Sequence, residues 1–334
     1  MRNPLVTVIM PVYNCEKHIA DAIESILSQT YANLELIIID DCSTDHTRQL
    51  IGKYTDDRIV FIKKEKNTGL VSSLNLGIKI SKGGFLARMD GDDISHQTRL
   101  SKQVRLLTSN PDIVLCGTWY QLSGSNEIIK NPVEHEDIKI SLLDHCVLGH
   151  PSVMFRKDFL TANELTYDDS FYPAEDYELW TRISAIGKIA NIPEVLLWYR
   201  THENQVSNKE QSIQLTKSYQ CKVRMMCYPL SSPSQSDISR SAFIVENGGV
   251  SNLSELQELV SWLDRLSDAN KQSSFYDEQK FQKYINNKKR QIIRKFYLHS
   301  TSYSPSVLFS FSCGSYFTAN ELVKFTLKCI FFWK

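Results

Sequence analysis

Three aspartates within four residues form the group with the clearest chemistry in this chain. Asp90, Asp92 and Asp93 directly follow the apolar run at residues 85–89. Because like charges a few ångströms apart repel one another, such a cluster either binds a divalent cation or shares protons. A site with only oxygen ligands favours Mg²⁺ or Mn²⁺, ions that keep coordination positions open for substrate phosphates. The cluster therefore predicts an enzyme that handles a diphosphate, and the alternative is a solvated acidic turn.

The residues around this cluster alternate between strand-like and helix-like patterns. Buried strands are predicted at residues 5–10, 34–39, 59–62 and 85–89, and helices at 19–27, around 50–51, and at 70–80. Such alternation indicates a parallel sheet with right-handed crossovers, whose ligands lie beyond the carboxyl ends of the strands. Residues 11–14, the pair Asp40-Asp41 and the aspartate cluster all follow strand ends. We therefore expect them to meet in one crevice.

The order of elements becomes mixed after the cluster. Helices are predicted at 98–107 and 176–185, strands at 113–120 and 153–156, a turn at 124–126, and an extended segment at 189–199 that Pro193 interrupts. The fold class predicted from these patterns is α/β, with a doubly wound mixed sheet.

The last third of the chain has a different character. A helix is predicted up to Met226, then a Pro/Ser-rich linker at 229–236, an amphipathic helix at 253–263 and a basic helix around Lys288 to Lys295. We predict a first domain at 1–210 and a helical accessory region at 211–334. The basic helix and the aromatic tail at 330–334 predict contact with a membrane surface, and the alternative is a solvated helix face with a packed tail.

Composition limits the classes of partner. The 334 residues contain 38 Lys and Arg against 38 Asp and Glu, so no overall positive charge favours binding to nucleic acid. Eight scattered cysteines argue against a zinc site and a disulfide framework. The first residues lead into a strand rather than an apolar signal segment, and no run is long enough to span a bilayer, so we expect a cytoplasmic protein.

Four segments together resemble family 2 glycosyltransferases of the GT-A fold. They are residues 8–14, VIMPVYN; 39–45, IDDCSTD; 88–93, RMDGDD; and 174–180, AEDYELW. The resemblance covers roughly the first 210 residues, and the final third carries no motif of the family. The family implies inverting transfer of a sugar from a nucleotide donor, and the chain is similar to its bacterial surface-polysaccharide members.

The resemblance implies roles for individual residues. Asp92 and Asp93 correspond to the aspartates that contact ribose and metal, with Asp90 in the same cluster. Asp176 matches the general base, which takes a proton from the acceptor hydroxyl. An acidic residue at a helix start also has a purely structural interpretation, as a favourable partner of the helix dipole.

The resemblance also implies a set of donor-binding residues. Tyr13 would stack on the nucleotide base and Asp41 would accept a hydrogen bond from uracil. Arg200 would bind phosphate, and His202 would complete the metal shell. Further donor contacts are expected from Pro11, Asn14, Asn67 and Arg88, and an acceptor-side contact from His150. For Tyr13, Arg88, His150 and His202 a packing or structural role is the alternative, and for Asp40-Asp41 the alternative is a helix-capping pair.

We therefore predict a glycosyltransferase that depends on Mn²⁺ or Mg²⁺. It would transfer a hexose from a UDP-sugar to a lipid-linked oligosaccharide at the inner face of the cytoplasmic membrane. One alternative is a catalytically inactive, carbohydrate-binding member of the fold. A second is a phosphatase of the haloacid dehalogenase type, although its nucleophilic aspartate follows the first strand rather than the fourth. The loops typical of nucleotidyltransferases and of Rossmann dehydrogenases do not follow the first strand.

Overall fold

A computed structural model describes the chain over residues 3–125, 127–201, 210–246, 248–298 and 319–330. The chain divides into two compact units, Met1–Cys221 and Lys222–Lys334. The candidate functional residues described below all belong to the first unit.

The first unit is built on a mixed sheet of nine strands in the described residues. Its strands are β1 (Val6–Val12), β2 (Leu34–Asp40), β3 (Ile59–Lys63), β4 (Phe85–Arg88), β5 (Ile94–Ser95), β6 (Ile113–Leu122), β7 (Ile128–Ile129), β8 (Met154–Arg156) and β9 (Lys188–Tyr199). Their order is β3-β2-β1-β4-β8-β6-β9-β5, and β7 pairs with β6.

The first half of this sheet is parallel. β1 lies between β2 and β4, and β2 also pairs with β3, all in the same direction. Every residue of β1 and β2 is buried. Their near-continuous apolar sequences suit strands that are covered on both faces. The carboxyl ends of β1, β2 and β4 consequently lie side by side at one edge.

The second half of the sheet is mainly antiparallel. β8 pairs in an antiparallel direction with both β4 and β6, whereas β6 and β9 are parallel. The register of β9 shifts between Ile192 and Val195, so Pro193 lies in a bulge and β9 continues past it. A bulge tolerates proline because its residues are released from the ladder of hydrogen bonds.

The described part of the first unit also contains eight α-helices. They are α1 (Ile19–Leu27), α2 (Thr47–Ile51), α3 (Leu70–Ile80), α4 (Arg99–Ser109), α5 (His135–Ser141), α6 (Lys157–Ala162), α7 (Glu175–Ile186) and α8 (Gln211–Cys227), which extends into the second unit. Gly77 of α3 lies so close to β1 that an added Cβ would overlap Cγ2 of Ile9. This contact brings the start of α3 to the carboxyl edge of the sheet.

One sequence-based boundary was wrong in detail, and four short elements were missed. β1 continues through Pro11, which was expected to end it. β4 pairs with β1 only as far as Ile9, so Pro11 lies where β1 has a partner on one side alone and its missing N–H disrupts less. The short elements β5, β7, α5 and α6 were not predicted, because two to seven residues are too few to show a period.

The second unit is helical over the residues described. Its further helices are α9 (Gln235–Val245), α10 (Leu253–Ser273), α11 (Glu278–Leu298) and α12 (Ala319–Ile330). A capping box between Ser234 and Asp237 starts α9 within the predicted linker. A buried cluster holds the unit together, formed by Leu256, Ile293, Tyr297, Phe325 and Cys329. None of the helices in the described part of the chain is both long and apolar enough to cross a bilayer.

Candidate active site

A cavity of about 990 Å³ opens at the carboxyl edge of the parallel strands. Its walls come from the loops after β1, β2 and β4, from the start of α7, and from the ends of β6 and β9. Among its lining residues are Pro11, Tyr13, Asn14, Asp41, Asn67, Arg88, Asp90, Asp92, Tyr120, Cys146, His150, Tyr172, Glu175, Asp176 and Tyr199. The predicted convergence of the strand-end motifs is therefore present in the structure.

The aspartate cluster lies on one side of this cavity. One carboxylate oxygen from each of Asp90, Asp92 and Asp93 lies within 4.8 Å of the other two. Asp93 is fully buried, and its Oδ1 accepts a hydrogen bond of 2.8 Å from the backbone N–H of Arg200. Its Oδ2 has no hydrogen-bond partner. An orphaned, buried carboxylate oxygen beside two further carboxylates is the donor set that a hard divalent cation prefers.

Electrostatics within the cluster agrees with this fit. Burial raises the pKa of Asp90 to about 6 against the opposing effect of Arg88, and Asp92 raises it further. Burial, with the charges of Asp90 and Asp92, also raises the pKa of Asp93 well above its ordinary value. Three ionised carboxylates are thus costly together, and a cation would offset that cost.

Two buried arginines lie next to the cluster. Arg88 forms an ion pair with Asp90, and its Nε has no partner. Arg99, at the start of α4, is also fully buried and donates hydrogen bonds to the carbonyl oxygens of Arg88 and Pro151 at 3.3 and 2.5 Å. Arg99 therefore ties the strand end before the cluster to the segment that carries His150.

Glu175 and Asp176 form an acidic wall of the cavity at the start of α7. Oδ1 of Asp176 accepts a hydrogen bond of 2.6 Å from the N–H of Tyr177, and burial raises the pKa of this carboxyl. Burial and the adjacent Asp176 raise the pKa of Glu175 to about 8. Near neutral pH Glu175 is therefore mainly protonated. Of these two residues, Asp176 is the one whose carboxylate can accept a proton.

His150 lies beside this pair in a largely apolar setting. Its Nε2 is 2.9 Å from the hydroxyl of Tyr167, and its Nδ1 is 3.7 Å from Oε1 of Glu175. The ring also packs edge-on against Trp180 at 5.9 Å between centroids. Burial lowers the pKa of His150 well below its ordinary value, and the charge of Arg88 lowers it further. The imidazole is consequently neutral.

The predicted nucleotide side contains the most exposed lining residues. Tyr13 is 48% exposed, which leaves its ring face available to a planar base. Asn14 adopts a positive φ of 53°, and its side-chain oxygen accepts a hydrogen bond of 2.8 Å from the N–H of Thr44. This bond joins the loop after β1 to the loop after β2.

The carboxylate of Asp41 makes several contacts within the protein that its predicted role did not include. Its carboxylate accepts hydrogen bonds from the N–H groups of Thr68 and Gly69 at 3.0 and 2.8 Å, and it pairs with Lys64 at 2.7 Å. Only 5% of the residue is exposed. Asp41 thus anchors the loop that begins α3, and its hydrogen bond to uracil stays a prediction.

Three predicted residues are placed differently from the rest. Asp93 and Arg200 do not appear among the residues that line the cavity. Arg200 instead pairs with Asp21 at 2.6 Å and donates to the carbonyl oxygen of Asp92 at 3.2 Å. His202, predicted as a metal ligand, lies outside the described residues.

The sequence patterns did not single out several residues that line the cavity together with Asp176, the predicted general base. Sγ of Cys146 lies 4.0 Å from Oδ2 of Asp176, and the rings of Tyr120 and Tyr199 lie 5.9 Å apart. Tyr172 is a further aromatic residue that lines the cavity. One signal was available, since Tyr120 and Tyr199 end predicted strands in the same way that Tyr13 follows one.

Comparison with known proteins gives an independent view of the chain. Residues 7–163 match the family model "Glycosyl transferase family 2". An uncharacterized glycosyltransferase of Haemophilus influenzae is 36% identical over 219 residues, which are 61% of this chain and 68% of that protein. The Escherichia coli UDP-Glc:alpha-D-GlcNAc-diphosphoundecaprenol beta-1,3-glucosyltransferase WfgD is 32% identical over 213 residues, 63% of this chain and 82% of that one.

A similar fold occurs in a solved structure. The Staphylococcus aureus TarS fragment 1–349 in complex with UDP-GlcNAc matches with a TM-score of 0.57, covering 86% of this chain and 90% of that fragment. At 17% sequence identity this likeness shows the fold alone. It confirms the predicted mixed α/β class with C-terminal helices.

Proposed function

The chain belongs to glycosyltransferase family 2, and on that premise we propose that it is a metal-dependent, inverting hexosyltransferase that acts on a lipid-linked saccharide. The predicted family and the prediction of a glycosyltransferase enzyme are thereby confirmed. Its donor, metal and stereochemistry form part of the proposal.

One observation carries this proposal. Asp90 and Asp92 of the aspartate cluster line the same cavity as Asp176. Glycosyl transfer needs both functions, because charge develops on a departing diphosphate while an acceptor hydroxyl must lose its proton. An inactive carbohydrate-binding protein would need neither group.

Asp176 is the general base in this mechanism. It takes the proton from the acceptor hydroxyl while that oxygen attacks the anomeric carbon from the face opposite the diphosphate. The bond between the anomeric carbon and the diphosphate oxygen breaks as the new glycosidic bond forms. A single displacement inverts the configuration, so an α-linked UDP-hexose gives a β-glycoside.

The donor occupies the other walls of the cavity. We propose that Tyr13 stacks on the base, with Pro11, Asn14, Asn67 and Asp41 around the nucleoside. We assign the phosphates to Arg88, which lines the cavity, and to Arg200, whose Nη1 donates to the carbonyl oxygen of Asp92. A bound Mn²⁺ or Mg²⁺ would be held by Asp92 and Asp93, with Asp90 nearby and His202 as a further ligand, and would neutralise the diphosphate. Glu175 stays protonated, so it does not add a second charge beside Asp176.

The names of relatives support the substrate classes. The name of WfgD specifies UDP-Glc and a GlcNAc-diphosphoundecaprenol, and the structure of TarS was solved with UDP-GlcNAc. We infer a UDP-hexose donor and an acceptor of the saccharide-diphosphate-lipid type, in surface polysaccharide synthesis. Such an acceptor is anchored in a bilayer, so the basic and apolar helices of the accessory region would bind peripherally at the cytoplasmic face.

A panel of nucleotide sugars tests the proposal. Nucleotide release is measured with Mn²⁺, Mg²⁺ or EDTA, with and without a synthetic GlcNAc-diphosphoryl-lipid acceptor. We expect release with at least one UDP-hexose that requires both metal and lipid acceptor. Equal activity on free soluble sugars would contradict the acceptor class, and full activity in EDTA would contradict the metal dependence.

A further inference from the structure

We propose that Tyr120 is an acceptor-binding residue whose phenol hydroxyl donates a hydrogen bond to the saccharide of the acceptor. The inference rests on the proposed function, because it assigns the wall of the cavity that receives the acceptor in that reaction.

The position of Tyr120 is fixed by its neighbours in the fold. It lies near the end of β6, half-buried, and its ring lies 5.9 Å from that of Tyr199 on β9. On the other side it packs against Gly149, where an added Cβ would come within 2.8 Å of Cε1 and 2.9 Å of Cδ1 of Tyr120. Glycine at 149 therefore leaves the space that the Tyr120 ring occupies.

The hydroxyl of Tyr120 is available to a ligand. Among the described residues it forms no hydrogen bond, although Tyr120 lines the cavity. Burial raises the pKa of this phenol to about 12, and the nearby carboxyl group of Asp176 raises it further. The group consequently remains a protonated donor at neutral pH. Tyr120 lines the same cavity as Asp176 and as Asp90 and Asp92 of the aspartate cluster.

The chemistry of this wall suits a neutral sugar rather than a phosphate. Sγ of Cys146 lies 4.0 Å from Oδ2 of Asp176, and Tyr120, Leu148 and Tyr172 line the same cavity; none of these four side chains carries a positive charge. A phosphate would be repelled by Asp176, whereas a saccharide offers hydroxyl oxygens as acceptors and apolar C–H faces for aromatic rings. Arg88, the buried cation of the cavity, is paired with Asp90 on the donor side.

Tyr120→Phe tests the inference with UDP-glucose and a synthetic GlcNAc-diphosphoryl-lipid as probes. This change keeps the ring and removes the donor. We expect the KM for the acceptor to rise by about fivefold to tenfold, as for the loss of one neutral hydrogen bond. The affinity for UDP, measured by calorimetry, should stay within about twofold. Tyr54→Phe is the matched control, because its hydroxyl donates to the Ala20 carbonyl outside the cavity.

Gly149→Ala provides a second variant that acts through the ring position. The new methyl group would displace the Tyr120 ring, so the acceptor KM should rise while UDP affinity is retained. An unchanged acceptor KM in Tyr120→Phe, or an equal rise in Tyr54→Phe, would overturn the inference and leave the proposed function intact. If the wild-type protein neither transfers to the acceptor nor binds it in saturation-transfer NMR, both proposals fail.

Discussion

At the scale of single residues, two adjacent carboxyl groups are given different chemical states by their surroundings. Glu175 is 3% exposed and one of its oxygens has no partner, so it holds a proton to about pH 8. Burial also raises the pKa of Asp176, but the hydrogen bond from the N–H of Tyr177 at the start of α7 opposes that shift. Separate environments for paired acids are a common way to divide acid and base roles.

Replacing Asp176 with Asn should abolish sugar transfer and leave binding of the nucleotide donor intact. The amide cannot accept the acceptor's proton, so kcat should fall by about 10²-fold to 10⁴-fold. UDP affinity should change little, since the predicted nucleoside contacts lie on other walls. Single-turnover assays and UDP calorimetry provide the two readings. A near-normal kcat in this variant would show that Asp176 is not the general base. Loss of UDP affinity alone would show that Asp176 binds the donor instead.

Replacing Glu175 with Gln should alter how stability depends on pH. The raised pKa means that the folded chain binds this proton more tightly than the unfolded chain. Its contribution to stability is complete below the ordinary pKa of 4.5 and is lost as pH rises to about 8. The Tm of Glu175→Gln relative to wild type should therefore rise across that range and level off above it. A constant difference across the range would show that Glu175 is ionised throughout.

Sequence reasoning found the acidic site residues better than the aromatic ones. Asp92 stands out because three carboxylates crowded at a strand end repel one another, and Asp176 because its segment resembles a family motif. Tyr120 did not stand out, because an aromatic residue at a strand end is equally typical of a core. The engagement of Asp41 by Lys64 and two backbone N–H groups depends on the loop before α3, whose path the sequence does not reveal.

At the scale of secondary-structure elements, the parallel half of the sheet was the more predictable half. β1 to β4 are strongly apolar and alternate with helices, so both their existence and their direction follow from pattern. The positions of β8 and β6 could not be predicted, since antiparallel pairing beside β4 depends on contacts distant in sequence. Pro193 was expected to interrupt the extended segment, but β9 continues past it because a bulge accommodates the proline.

Gly77→Ala should test how tightly α3 is held against β1. The added methyl group would overlap Ile9 in a packed core, which typically costs about 1–3 kcal/mol. Gly84→Ala is the matched control, because an added Cβ there has no heavy atom within 4 Å. Urea denaturation should show a lower free energy of unfolding for the first variant alone. Equal stability of the two variants would mean that α3 moves away without cost.

At the scale of the whole molecule, a net charge of zero conceals an uneven distribution. α11 carries many lysines and arginines, and α12 exposes apolar side chains at Leu322, Val323, Leu327 and Ile330. Part of the basic set is used internally, since Lys289 pairs with Asp264 and Arg294 with Glu321. The exposed remainder of α11 is the surface that we expect to contact anionic lipid.

Charge reversal on α11 should weaken binding to anionic vesicles. The double variant Lys283→Glu/Arg290→Glu should bind phosphatidylglycerol vesicles at least about tenfold more weakly, since each basic residue near such a surface contributes about 1 kcal/mol. Lys53→Glu/Lys79→Glu makes the same charge change at exposed positions of the first unit and should have little effect. Co-sedimentation measures both. Equal weakening by the two double variants would indicate attraction by overall charge rather than by α11.

The anomeric configuration of the product tests the central claim most directly. Wild-type protein is incubated with Mn²⁺, α-linked UDP-glucose and the GlcNAc-diphosphoryl-lipid acceptor, and the new linkage is assigned by proton NMR. With Asp176 acting as base in a single displacement, the product should be a β-glucoside. An α-glucoside would contradict the account, because it would require a second displacement or attack from the same face as the departing UDP.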